Sequence, residues 1–281
     1  MGKRLKSLTI GIFVLIPALL SDKVIVFAGK TEDRPKNLPT LIVGYNHVPP
    51  DSLHINGQPA GPAYEFLQQI APRMGVRFTY QYLPLSRLLA KINSNQIDMI
   101  LRIGANPALP VKPTAPFTYT TPGILLARRL GIKTWKELAA KPAIRIGTKG
   151  GMPLTDTMKT ILDRISYQPG DDALAISLRM VQRGRLEGVY SPTIGELVYM
   201  ASEMKILDDF VAIRLPDPPW NVYAAFSRQA HEAYHRRYIE ALTEIQRSQP
   251  YQSLYESYIR KHLPGIPKDV IKVLLRDELK P

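Results

Sequence analysis

Short apolar runs of strand length recur along the chain, and between them apolar residues return every third or fourth position. Leu41–Tyr45, Val76–Tyr82, Ile97–Ile103, Gly123–Ala127, Ile144–Thr148, Leu186–Tyr190, Val211–Leu215 and Asn221–Arg228 read as strands. Ala63–Met74 carries Tyr64, Leu67, Ile70 and Ala71 at helical spacing and stops near Gly75. Leu85–Ile92 sets Leu85, Leu88, Leu89 and Ile92 on one side, which leaves Arg87 off the apolar stripe. Thr134 with Glu137 three residues on is a capping box, so a small helix is expected over 134–140. Further helices are expected over 154–164, 171–183, 194–204, 229–247 and 251–262. Asn46–Pro62 is rich in Pro, Gly, Asn and Asp and reads as one long loop.

The pattern repeats. Lys91–Leu101 reads as helix end, turn and strand, and Met180–Tyr190 reads the same way, with Asn95-Gln-Ile-Asp98 answered by Gly184-Arg-Leu-Glu187. Leu41–Tyr45 and Ala143–Thr148 are likewise similar. Pro116–Arg129 lies between the two halves: loop chemistry around Tyr119, a break at Pro122-Gly123, then an apolar strand. Strands alternating with helices imply mainly parallel sheets covered on both faces. The expectation is an α/β protein of two similar lobes with a hinged cleft between them. The first lobe is discontinuous, residues 29–124 plus 216–281, and the second is 125–215. Asp217-Pro-Pro-Trp220 is a rigid corner, after which Asn221–Arg228 returns to the first sheet.

The N-terminus adds a location. Lys3, Arg4 and Lys6 precede an apolar run from Leu8 to Leu20, which is too short to span a bilayer comfortably. Val26-Phe27-Ala28 offers small residues at the −3 and −1 positions of a cleavage site, so 1–28 reads as a secretory signal peptide and the mature chain as periplasmic. The formal charge is +13, but Lys and Arg are spread without long runs, which fits a solvated basic surface. Export and this dispersion leave nucleic acid out. With no cysteine, a disulfide framework, thiolate metal sites and a cysteine nucleophile are excluded.

In α/β lobes ligands bind at the carboxyl ends of strands. That rule selects Tyr45 and His47 after the first strand, Arg102 at the end of Ile97–Ile103, and Tyr119 at the crossing. From the second lobe it selects Lys149, Gly150 and Gly151, together with Tyr190 and Ser191; Arg87 looks over the rim. Thr148-Lys149-Gly150-Gly151 lies between a strand and a helix, where free N–H groups attract anions and glycines let a ligand approach. It lacks P-loop spacing, and a plain tight turn is the alternative. Arg102 at the end of an apolar strand fits carboxylate or phosphate recognition, or else a surface pair with a neighbouring acid. Tyr45, Tyr119 and Tyr190 could stack on a ligand or serve ordinary packing. His231-Glu232-Ala233-Tyr234-His235 matches the zinc peptidase pattern H-E-x-x-H. Arg236 and Arg237 follow at once and no convincing third ligand does, so an amphipathic helix is the expected reading. No Ser-His-Asp arrangement with supporting context appears, and no cofactor is expected.

Taken together, LIVGYNHVPP, SNQIDMI, APFTYTTPGILLA, RIGTKGG, RGRLEGVY and VYAAFSR, in this order over Leu41–Tyr258, resemble the periplasmic solute-binding proteins of the polar amino-acid type. These are family 3, with the type II periplasmic-binding fold. The resemblance implies a two-lobed binding protein, monomeric, that captures a small-molecule solute for an inner-membrane permease of an ABC-type transporter or for a sensor. Two family anchors are missing. Pro110 stands near the place of the arginine that grips an amino acid's carboxylate, and Ser191-Pro192 stands where an aspartate holds its amine. With Arg87, Arg102 and the Lys149 turn as candidate donors, an anionic solute is expected. The alternative within the family is a periplasmic lyase or dehydratase.

Overall fold

The computed structural model describes residues 38–263 apart from 105 and 114, together with 265, 266, 270 and 274. The signal peptide assigned to residues 1–28 lies outside the described residues.

The chain opens with β1 (Thr40–Tyr45), followed by a small hairpin of β2 (Leu53–Ile55) and β3 (Gln58–Ala60). Then come α1 (Pro62–Met74), β4 (Arg77–Tyr82), α2 (Leu85–Asn93) and β5 (Met99–Gly104). The crossing segment carries β6 (Thr118–Thr120) and β7 (Gly123–Ala127). After it follow α3 (Trp135–Ala139), β8 (Ile146–Lys149), α4 (Asp156–Lys159), β9 (Ile165–Gln168) and α5 (Ala173–Gln182). The second half ends with β10 (Gly188–Ser191), α6 (Ile194–Glu203) and β11 (Phe210–Arg214). β12 (Trp220–Phe226), α7 (Arg228–Ser248) and α8 (Tyr251–His262) complete the described chain.

Two five-stranded sheets result, ordered β4-β1-β5-β12-β6 and β11-β7-β10-β8-β9. β1 pairs in parallel with β4 and β5, and β8 in parallel with β9 and β10. β12 runs antiparallel to both β5 and β6, and β7 antiparallel to both β10 and β11. Each sheet therefore has a single strand against the grain, and it is the strand that enters from the other half of the chain.

Burial explains the elements. β7 is buried at every position, because helices cover both faces of its sheet. β4 is an edge strand, and its residues are exposed or only partly buried, alternating over 77–80. Leu41, Val43 and Tyr45 of β1 face α1 and join a core that includes Phe66, Ile70 and Met74. The opposite face of that sheet packs Ile100 and Ile103 against Leu88 and Ile92 of α2.

Three segments depart from the sequence reading. The loop over 46–62 contains β2 and β3, joined through Asn56 and Gly57, both with positive φ. The stretch over 154–164 is a four-residue α4 and a 3-10 turn, and it leads directly into β9. Thr118–Thr120 is a short strand.

One glycine is required for the site. Gly61 has φ +98, and a Cβ there would lie 2.6 Å from the Asp51 carbonyl oxygen. The loop over 46–62 therefore folds back tightly over the start of α1, where the Ala63 N–H donates to the same carbonyl at 2.9 Å. This contact fixes Asp51.

Candidate functional site

The carboxyl ends of the central strands bring a buried polar cluster together. Arg102, near the end of β5, pairs with Asp51 at 3.4 Å between Nη2 and Oδ2. The side chains are only 9% and 8% exposed, so the pair is out of water. The Tyr251 hydroxyl, from the first turn of α8, donates to the other Asp51 oxygen. Burial and the adjacent Asp51 carboxylate hold the Tyr251 phenol well above its usual range. The Nε of Arg102 is buried and has no hydrogen-bond partner among the described residues.

The second half of the chain supplies the facing wall. Ser191 ends β10 and is fully buried; its Oγ accepts the Thr193 N–H at 3.1 Å and donates to Glu196 Oε2 at 3.2 Å. Glu196 lies in the first turn of α6. Desolvation pushes its carboxyl up to about 7, against the pull of Arg102, the Ser191 hydroxyl and Lys149. The first residue of α6, Ile194, gives its N–H to the Thr121 carbonyl at 2.9 Å, and Thr120 Oγ1 donates to the Pro192 carbonyl at 3.3 Å. The crossing segment is thus stitched to the entry of α6.

The two walls meet closely. A Cβ on Gly195 would lie 2.6 Å from Tyr255 Oη and 3.4 Å from Pro50 Cδ. A small cavity of about 30 Å³ remains at the seam, lined by Asp51, Thr118–Thr121, Thr193–Gly195, Tyr251, Gln252, Tyr255 and Leu274.

The residues expected from the sequence divide into three groups. Arg102 and Ser191 are in the cluster, and Tyr119 lines the cavity. Tyr45, His47 and Tyr190 are engaged elsewhere. Tyr45 is buried, with its hydroxyl on His54 Nδ1 at 2.8 Å and its ring against Tyr80 and Tyr82. His47 Nδ1 accepts the His54 N–H at 3.2 Å, and burial followed by the His54 charge keeps its imidazole below its ordinary value. Tyr190 is fully buried in the second core and donates to the Pro153 carbonyl at 3.1 Å. Arg87 is exposed on α2 and is absent from the cavity lining.

The third group is the turn at Lys149, Gly150 and Gly151, where the anion-site reading needs correcting. The Gly150 N–H is already taken by the Gln168 carbonyl at 2.9 Å. The Lys149 ammonium donates to Asp171 at 2.9 Å on the surface. The helix that follows has only four residues, too few for an effective dipole. Arg102, expected as a cation for the solute, already has Asp51 as its counter-ion.

Asp51, Thr193, Glu196, Tyr251 and Tyr255 were not selected from the sequence. Glu196 had a signal: an acid in the first turn of the helix that follows a strand end. Asp51 and Tyr251 meet only through the fold, two hundred residues apart in the chain. His231 and His235 stack at 4.1 Å between ring centroids, and both rest edge-on against Phe226. Among the described residues no group of three or more His, Cys, Asp or Glu is placed to hold a metal ion.

Two sheets, each entered by one strand from the opposite half and meeting at a polar seam, define a two-lobed binding-protein fold. Residues 41–261 match the model of the bacterial extracellular solute-binding proteins, family 3, and the chain belongs to that family. No curated protein matches the sequence. Solved structures are similar at the level of fold. One is an ancestral cationic amino-acid solute-binding protein, AncCDT-1, at 19% identity and TM-score 0.62, covering 78% of this chain and 95% of that one. A second is a histidine kinase sensor domain, at 18% identity and TM-score 0.60, covering 81% and 98%. A third is the amino-acid ABC transporter substrate-binding protein AbpA of Streptococcus pneumoniae bound to L-arginine, at 14% identity and TM-score 0.60, covering 82% and 97%.

Proposed function

We propose that this chain captures a small polar solute between its lobes and hands it, or reports it, to a membrane permease or a sensor. On this reading the first lobe comprises residues 29–124 and 216–281, the second comprises 125–215, and hinged closure is the working step. The observation that carries it is Arg102 on the first sheet, its Nε buried and unpartnered among the described residues, with Ser191 of the second sheet and Glu196 of α6 on the other wall. A solute acceptor such as a carbonyl, hydroxyl or carboxylate oxygen would satisfy that Nε. The charge inventory does not call for an anion: Asp51 already offsets Arg102. The ligand class is therefore a polar solute with an acceptor group, with no net negative charge required. Both partner types have structural relatives, a transporter component and a kinase sensor domain.

The test is a thermal-shift screen of the mature chain against amino acids, carboxylic acids, amines and sugars. A solute at a hundred times its dissociation constant adds about 2.7 kcal/mol of stability. Arg102→Ala should then weaken binding roughly ten- to a hundredfold, since a hydrogen bond from a charged group contributes about 1.5–3 kcal/mol. A wild-type affinity in a folded Arg102→Ala variant rules out the assigned site. Cleavage after Ala28 and recovery in the periplasmic fraction are checked by N-terminal sequencing.

A second reading has one observation behind it. A carboxyl near 7 in a buried site suits a general acid, and AncCDT-1 is described as a precursor of cyclohexadienyl dehydratase. Mass spectrometry of the bound solute after incubation separates capture from turnover.

A further inference from the structure

The seam holds two carboxyl groups and a single buried guanidinium. Arg102, on β5, pairs with one and attracts the other. Asp51, from the loop after β1, has the ion pair and the Tyr251 hydroxyl. Glu196, from α6, has the Ser191 hydroxyl. α8 contributes only neutral phenols, Tyr251 and Tyr255, whose protons burial holds in place. From β8 Lys149 also attracts the Glu196 carboxylate, but its ammonium is shared with Asp171 at the surface. If both carboxyls were ionised, two carboxylates would share one buried guanidinium, with Lys149 acting from the surface. A carboxyl drawn partly out of water beside another carboxylate takes up a proton more readily than one in solvent. Asp51 has the better anion partners, so Glu196 is the group that takes it.

The same groups separate when the lobes part. Glu196 sits beside Gly195, where the other wall comes so close that an added Cβ would lie 2.6 Å from the Tyr255 hydroxyl and 3.4 Å from Pro50 Cδ. Opening there returns the first turn of α6 to water, where a carboxylate ionises readily. We propose that closing the two lobes takes up one proton from solvent, held at the Glu196 carboxyl, so that mild acidity favours the closed form. The proposal rests on the hinged closure argued above. The sign follows from the ordinary value of 4.5 rising to about 7 on burial. Proton uptake on closing is confined to the window between them, and closure weakens as pH rises through it.

The sequence has no cysteine, so spin labels can be introduced cleanly at Ser86→Cys on α2 and Lys136→Cys on α3, both exposed. Distances between the labels report the ratio of closed to open chains. The ratio should fall about tenfold between roughly pH 6 and pH 8 in the otherwise wild-type protein. Glu196→Gln, neutral at every pH, should be flat over this range and stay closed. Ser191→Ala should move the midpoint to higher pH, because the lost hydroxyl favoured the ionised carboxylate. A merely structural role for Ser191 would not move it.

A pH-dependent ratio that persists in Glu196→Gln overturns the proposal, and so does a flat wild type. If the labels respond to a solute identified by thermal shift but not to pH, proton uptake is wrong and solute capture stands. If neither solute nor pH moves them, both readings fail.

Discussion

Arg102 and Asp51 form an ion pair across 3.4 Å with both side chains more than nine-tenths buried, and Tyr251 completes the aspartate from α8. A buried pair of this kind is a poor source of net stability, but breaking it leaves a charge stranded. The geometry therefore makes strong statements about single substitutions at either end.

Asp51→Asn should destabilise the protein by about 3–5 kcal/mol, because the Arg102 guanidinium loses the buried counter-ion it pairs with. Arg102→Met combined with Asp51→Asn should be less damaging than Asp51→Asn alone. Urea denaturation of the two variants checks this; an equal loss in both would mean that the pair is not coupled.

Tyr251→Phe removes the hydroxyl that donates to Asp51 and should cost about 1.5–3 kcal/mol, the range for a hydrogen bond to a charged group. The measurement is the same denaturation midpoint. Tyr255→Phe serves as a comparison, since the Tyr255 hydroxyl lies next to Gly195 and feels the Asp51 charge only at a distance.

Gly195→Ala places a methyl group 2.6 Å from Tyr255 Oη and should hold the walls apart. Small-angle scattering should give a larger radius of gyration than wild type. Adding Tyr255→Phe, which deletes the obstructing oxygen, should recover most of the compaction; no recovery would place the clash elsewhere.

His231→Ala with His235→Ala should leave solute affinity unchanged, and the purified wild type should carry no stoichiometric zinc. The pair should matter for acid stability instead. Burial and the charge of His231 keep His235 below its ordinary 6.5. The unfolded chain therefore takes up the proton first, and stability present above about pH 6.5 is lost as pH falls below it. The melting temperature should drop less between about pH 7.5 and 5.5 in the double variant.

Much of the fold was legible because its determinants are local. Leu41–Tyr45, Gly123–Ala127 and Leu186–Tyr190 are apolar runs of strand length; the first two lie within observed strands and the third overlaps one over 188–190. The paired helix–turn–strand segments at Asn95–Asp98 and Gly184–Glu187 pointed to two similar halves. β9 was hidden because Ile165–Gln168 is a partly exposed edge strand with no strong alternation. β2 and β3 were hidden by the turn residues around them. The site was legible only in part. Arg102 announces itself as a charge in an apolar strand, whereas its partner Asp51 sits in a proline-rich loop whose course depends on Gly61. The Lys149 turn looked like an anion cradle because a sequence cannot show that the Gln168 carbonyl from a neighbouring strand takes the Gly150 N–H.

Gly123 and Arg214 lie opposite each other in the β7–β11 ladder. The polypeptide therefore enters and leaves the second sheet through neighbouring doors. The intervening segment is wired as a cassette: a short linker across those two positions would close it into a ring, and the flanking segments could be spliced at the same place. Recombination between relatives at this junction would exchange one wall of the candidate site intact while leaving the Arg102–Asp51–Tyr251 wall untouched.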